Sequence, residues 1–474
     1  MRLTALFLLI AIQASLAFDS FTIAVNMIPG QRQYFIDSIV GPFCKQKKCE
    51  IKVIDFKDNE TLPQLMEKLP VQADGKAYPP LGLVKIPHEM SMGLVKQGKL
   101  LAINTLLQPE QIQPILNTYF LVDLYLVDNN IYLIPRKLET RLMVYRKSKV
   151  SDAVANWASM REAIVAALKK DNRFGLPEGY TLEADPNTWD FFDLFVAGYY
   201  WAAKEKAGRI AHRGKKYSGT VTGLMDGIYQ CNGTPYDLLN MEADPVADMF
   251  TWECVMIKNN VLNKKLWEAG WSGTDIWQAF KSNEAYLSFM TQIDCFFLAG
   301  GEKSEPYIPP ADMGIALMPK GASLTLDANG AEPERVGRNA VSTGGWWWGI
   351  PAAAPNPRLV YSFIEYVTGA EVQKKECGKF GMLPVRVEMI MKSENYFQKP
   401  FLQDLFKISR KQFLENGANS IATVKSYKIL EQIYLDMFDY CVKEYTGSDK
   451  TISAEGLKSA LGSRFGARLQ EIQE

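Results

Sequence analysis

The chain has 474 residues, too many for one ordinary core, so two lobes are expected. It balances 53 Lys+Arg against 53 Asp+Glu, which removes the net charge that would draw it to nucleic acid or to an anionic membrane. With 47% hydrophobic and 22% charged residues it reads as a soluble globular protein, and its 10 Trp suit either ring-bearing ligands such as sugars or a large, well-packed core.

The opening MRLTALFLLIAIQASLA carries one basic residue, an apolar run over 3–12 and small residues at Ser15 and Ala17. This is the pattern of a cleavable secretory signal peptide, residues 1–17. The run is short for a bilayer span, and no cysteine follows the cut to take a lipid anchor. The mature chain is therefore expected to be soluble and exported.

Residues 21–26 (FTIAVN) form an apolar run of strand length, and the turn pair Pro29-Gly30 precedes an amphipathic helix over 33–43. Residues 51–56 (IKVIDF) alternate as a second strand, Leu62, Leu65, Met66 and Leu69 mark a helix, and 81–86 (LGLVKI) gives a third strand. This βαβαβ order predicts a parallel sheet wrapped by helices, hence an α/β protein. Ligands of such sheets lie beyond the carboxyl ends of the strands, which puts Asn26, Met27, Pro87 and His88 at that edge. For His88, capping of the next helix is the simpler role.

A polar turn at 127–130 leads into a short strand ending at Pro135. The charged link Arg136, Lys137, Glu139 and Thr140 follows, then a strand over 141–145, and two strands joined this way suggest a crossing between lobes. A helix covers 157–170, and a long aromatic helix opens near Asn187 or Thr188 and runs to about Ala203, with Asp190 supporting its first turn. Trp189, in that first turn, faces either core or ligand. The Gly-, Lys- and Tyr-rich stretch 205–240 reads as an excursion, and helical patterns return over 245–258 and 275–297. Gln292 and Asp294 interrupt an apolar stretch, so they either line a cleft or bond buried backbone. Residues 308–321 read as loop, strand and turn.

The stretch Gly344-Gly345-Trp346-Trp347-Trp348-Gly349-Ile350-Pro351 stands out. Its glycines and proline speak against a helix, and on a strand successive side chains alternate between faces. Trp346 and Trp348 then share one face and Trp347 takes the other, so at least one indole is expected outward as a stacking platform; the alternative is that all three fill a core. Asn356 caps a helix with Pro357 at its first position, residues 381–386 (GMLPVR) form a proline-bearing connection, and the remainder is helical.

Seven cysteines are present: Cys44, Cys49, Cys231, Cys254, Cys295, Cys377 and Cys441. In an exported chain Cys44 with Cys49, and then Cys231 with Cys254, are candidate pairs; buried free thiols are the equal alternative. Two histidines are too few for a histidine-rich metal centre.

The segments 130–135 (NIYLIP), 312–321 (DMGIALMPKG), 344–351 with the Asn356-Pro357 helix start, and 381–386, in this order, resemble the extracellular solute-binding proteins of family 1. These are the sugar-binding subunits of bacterial ABC importers. The resemblance spans nearly the whole mature chain. It implies a two-lobed periplasmic-binding-protein fold of type II, with discontinuous lobes joined by crossing segments and a ligand cleft between them. Lobe one would hold 18–133 and 314–382, and lobe two 137–312 and 385–474. The function implied is capture of a small ligand, a sugar or sugar-like polyol, by hinge closure without chemistry or cofactor. The captured ligand would pass to a membrane permease, the protein acting as a monomer. The expected ligand-binding residues are Trp346, Trp347, Gly344, Gly345, Arg136, Glu139, Trp189, Gln292 and Arg386, with Tyr132 weaker. The rivals are an exported glycoside hydrolase, for which Asp185 with Asp190 or Glu139 with Asp294 are the nominal carboxylate pairs, and a sensory subunit docking on a membrane receptor. The sequence holds no G-x-S-x-G elbow and no HExxH.

Overall fold

The computed structural model describes residues 19–56, 61–301, 305–327, 329, 332–342, 344–392, 396, 399–416, 424 and 426–473; the expected signal peptide lies outside them. The strands among these residues are β1 (Ser20–Val25), β2 (Glu50–Asp55), β3 (Leu81–Pro87), β4 (Leu133–Glu139), β5 (Arg141–Arg146), β6 (Ile210–Ala211), β7 (Leu287–Thr291), β8 (Met313–Ala316) and β9 (Gly344–Gly349). They form two sheets within two compact units. The first unit comprises residues through Lys137, Gly345–Glu376 and Pro384–Met389; the second comprises Leu138–Gly344, Cys377–Leu383 and the chain from Ile390. No helix among the described residues is long and apolar enough to cross a membrane.

The first unit is built on the sheet order β2-β1-β3-β9-β4, in which β1 runs parallel to β2 and β3 while β9 is antiparallel to β3. β1 is buried at every residue but its first and β3 at every residue, as the near-continuous apolar runs of a sheet covered on both faces require. The helical run after β1 begins at Pro29 and contains a π-type stretch, Phe35–Val40, before the helix Gly41–Lys47. That run turns Phe35 and Phe43 onto Phe363, whose ring meets theirs edge-on at centroid distances of 6.0 and 5.0 Å. Each such pair adds about 0.5–1.5 kcal/mol beyond its buried area. Phe363 belongs to the helix Pro357–Val367, capped as expected by Asn356, whose Oδ1 accepts from the Leu359 N–H at 3.2 Å.

The second unit holds the sheet β6-β7-β5-β8, with β5 antiparallel to both β7 and β8. Its helices include Phe191–Glu205, Ser218–Gln230, Asp244–Lys258, Tyr427–Tyr445 and Ala454–Gln473. The aromatic helix starts later than expected. Asp190 is its N-cap, accepting from the Phe192 and Asp193 N–H groups, while Asp185 caps the short turn Pro186–Thr188.

The stretch 205–240 lies in the second unit and contains the helix Ser218–Gln230, which buries Val221, Leu224, Met225, Ile228 and Tyr229. Two sequence readings change. The stretch 275–297 is not all helix: LSFMT forms β7, since so short a stretch with three apolar residues fits a buried strand as well as a helix turn. The lobe limits also move. Residues 314–344 join the second unit because β8 pairs with β5. Residues 377–383 join it through the Leu138–Leu383 bridge and the packing of Gly381 on Phe296. Residues 385–389 belong to the first unit, where the Val385 N–H donates to Gln373 Oε1 and its carbonyl accepts from Phe120.

Candidate functional site

β9 lies between β3 and β4, and its register sets Lys85 opposite Trp348, Ile86 opposite Trp347 and Pro87 opposite Trp346. Trp346 and Trp348 thus share a face, as alternation predicts, and Trp347 takes the other. Burial separates them: Trp347 and Trp348 are 1% and 0% exposed, while Trp346 is partly exposed. Trp348 stacks on Phe35 at 6.1 Å with an interplanar angle of 28°. Trp346 sits at the carboxyl end of β3, the end at which ligands of parallel sheets bind.

Two lysines attend the Trp346 ring. Lys85 Nζ lies 4.0 Å from its centroid and donates to the Asn26 carbonyl at the end of β1; Lys137 Nζ lies 6.0 Å away. The ammonium groups meet the electron-rich face of the indole and hold the ring in place. With Lys85 over one face, the indole offers its remaining exposed surface, beside the ammonium donors, to an amphipathic ring with one apolar face and a hydroxylated rim.

The chain passes between the units after Lys137, Gly344, Glu376, Leu383 and Met389. Buried polar anchors grip several of these passages from within one unit. In the first, Arg136 on β4 pairs with Glu376, both fully buried. In the second, Gln292 accepts from the Thr140 N–H at 2.9 Å and donates to the Leu138 carbonyl at 3.2 Å. Also in the second, Arg141 makes a two-pronged pair with Asp226 at 2.6 and 2.7 Å and reaches the Ser342 carbonyl and hydroxyl. Asp226 accepts in turn from the Ser342 N–H and hydroxyl. Gly344 leaves room for this: a Cβ there would stand 2.6 Å from Arg141 Nη1. Gly345 has φ 134°, a conformation that side-chain-bearing residues rarely adopt.

The sequence-predicted residues therefore fall into distinct places. Trp346 is the partly exposed indole of the triplet, and Gly345 before it is buried with φ 134°. Arg136, Gln292 and Gly344 are engaged in anchoring passages, which answers the choice left open for Gln292 in favour of buried backbone. Trp189 is fully buried with Nε1 donating to the Glu183 carbonyl, so it belongs to the core. Trp347 is core as well. Glu139 is partly exposed near Arg213 and Asp294 in the second unit. Burial opposes the Arg213 charge, but Asp294, Tyr217 and Glu139 outweigh it and raise the pKa. Thr291 caps the helix Gln292–Leu298, and Asp294 closes the capping box by accepting from the Thr291 N–H while it also accepts from Arg213 at 2.8 Å and from the Trp277 indole at 3.2 Å. Arg386 donates to Glu388 at 2.9 Å and lies over Tyr119; Tyr132 is partly exposed. His88, buried, pairs with its neighbour Glu89 at 3.3 Å.

Sequence reasoning missed Lys85, Lys137 and Asp226. A lysine inside the apolar run LGLVKI was the available signal for Lys85. A cleft of about 390 Å³ in the second unit, bordered by Trp267, Asp275 and the Lys216–Asp439 ion pair, contains none of the expected residues. No group of three or more His, Cys, Asp or Glu able to hold a metal occurs among the described residues.

Comparison with curated proteins finds no match. Comparison with solved structures finds the same fold at low identity. The GacH receptor of Streptomyces glaucescens GLA.O, crystallised unliganded and with acarbose, is 12% identical over 96% of this chain and 99% of its own, with a TM-score of 0.65. Maltose-bound MalE3 of T. maritima is 15% identical over 95% and 99%, with a TM-score of 0.65. A solute-binding protein from Agrobacterium vitis S4 with bound D-mannitol is 13% identical over 96% and 100%, with a TM-score of 0.64. The family model described as "Bacterial extracellular solute-binding protein" matches residues 39–400, most of the chain. The chain belongs to this family of bacterial extracellular solute-binding proteins.

Proposed function

We propose that this protein captures a sugar or sugar-like polyol outside the cytoplasm and delivers it to the permease of an ABC-type importer, acting as a monomer without chemistry. The observation that carries the reading is Trp346: a partly exposed indole, fixed by Lys85, at the carboxyl end of β3 in a chain of the solute-binding family. Structural neighbours crystallised with acarbose, maltose and D-mannitol support the ligand class. Bending at the chain passages, several of them held by buried polar anchors, supplies the motion of capture. The signal peptide over 1–17 and release into the periplasm belong to the same proposal.

The nominal carboxylate pairs for a glycoside hydrolase have other work. Asp185 and Asp190 cap helical turns, and Asp294 completes the capping box of Thr291 while paired with Arg213. A thermal-shift screen across sugars, polyols, amino acids and anions tests the ligand class. Binding to the native state raises the apparent stability as RT ln(1 + [L]/Kd). A shift with one or more carbohydrates is expected; shifts confined to amino acids or anions would overturn it.

A further inference from the structure

Cys254 and Cys441 stand 187 residues apart in sequence, on the helices Asp244–Lys258 and Tyr427–Tyr445, and their sulfurs are 2.7 Å apart in the core of the second unit. That is nearer than two sulfurs come without bonding. Cys44 and Cys49, the pair nearest in sequence, stay at 3.7 Å. Cys231, which spacing alone would pair with Cys254, lies instead against Gly321. Both Cys254 and Cys441 are fully buried, and Cys441 Sγ lies 4.0 Å from the Phe250 carbonyl.

We propose that Cys254 and Cys441 form a disulfide that ties the C-terminal helices to the body of the second unit. The gap closes from 2.7 Å to a bond of about 2.0 Å with a small side-chain adjustment. The two S–H bonds break and one S–S bond forms. Two electrons and two protons pass to a disulfide-bearing oxidant, which leaves as two thiols. That the cell presents such an oxidant rests on the export reading above, since disulfides persist in oxidising compartments.

Burial also dictates when the bond forms. Desolvation pushes the Cys254 thiol well up, so the folded core holds little of the thiolate that exchange needs. Oxidation therefore precedes closure of the core, and the finished bond resists reductant until the unit unfolds.

The test uses the full chain and is independent of export. The reduced, unfolded chain is refolded with mixed oxidised and reduced glutathione. Free thiols are then alkylated in denaturant, and the non-reduced digest is mapped by mass spectrometry. The expected result is a linked pair of peptides carrying Cys254 and Cys441, present after treatment of the folded protein with dithiothreitol and lost when denaturant is added. Alkylation of both residues, or linkage of either one to a different cysteine, would overturn the proposal. Cys254→Ser and Cys441→Ser are each expected to lower Tm by ~5 °C in oxidised protein, through the lost cross-link, and to leave the reduced protein's Tm near the reduced parent's. Should export be wrong, the protein isolated from cells would be reduced while the refolding result stood.

Discussion

Lys85 Nζ lies 4.0 Å from the centre of the Trp346 ring, although strand pairing sets Lys85 directly opposite Trp348. The lysine leans along the sheet to the diagonal indole and donates to the Asn26 carbonyl at the end of β1. One tryptophan of three is thereby held at the strand end while its neighbours fill the core.

That division predicts different losses from the three indoles. Trp346→Ala is expected to weaken carbohydrate binding by about 2 kcal/mol, roughly 30-fold, with small effect on stability. Trp347→Ala and Trp348→Ala are expected to lower stability by about 3–5 kcal/mol by opening core cavities. Calorimetric titration and denaturant unfolding separate the two outcomes. Equal loss of affinity from Trp346→Ala and Trp347→Ala, with stability unchanged in both, would refute the division.

Gly345→Ala places a side chain at φ 134° and is expected to cost about 1–3 kcal/mol. Gly344→Ala sets a Cβ 2.6 Å from Arg141 Nη1 and should disturb the pair with Asp226. Urea unfolding of each variant measures the cost. A neutral result for Gly345→Ala would mean that the backbone relaxes freely there.

Asp226→Ala leaves the Arg141 guanidinium buried without its carboxylate, an error worth about 3–5 kcal/mol. The expected outcome is a destabilised second unit, read as an earlier unfolding transition. A midpoint like the parent's would show that the pair is dispensable.

His212 supplies a pH test. Burial alone pushes its pKa down, but Glu253, 2.9 Å from Nε2, and the Arg213 carbonyl outweigh it, so the folded value lies above the ordinary 6.5. A raised histidine stabilises fully below the unfolded pKa, and that contribution is lost as pH rises through the folded one. Unfolding midpoints should therefore fall between ~pH 6 and the alkaline side of the folded pKa, and His212→Gln should flatten that part of the profile. A parent profile that rises over the same range would contradict the assignment.

Much of the fold was legible because its signals are local. The βαβαβ start, the Asn356-Pro357 cap and the strand character of the tryptophan stretch each rest on a few neighbouring residues. What escaped depends on distant partners. LSFMT is a strand because β5 pairs with it, and nothing inside those five residues says so. Asp226 sat in a Gly- and Lys-rich stretch, and its partner Arg141 lies 85 residues away. Among candidate ligand residues, residue type was a weak guide: Arg136, Gln292 and Trp189 have the chemistry of a sugar site yet are spent on buried anchoring and core packing.

Calorimetric titration of the parent and of Trp346→Ala with the carbohydrate that gives the largest thermal shift tests the central claim most directly. Saturable binding by the parent, weakened about 30-fold in Trp346→Ala at unchanged stability, is the predicted result. Carbohydrate binding that is indifferent to Trp346, or no carbohydrate binding by the parent, would contradict it.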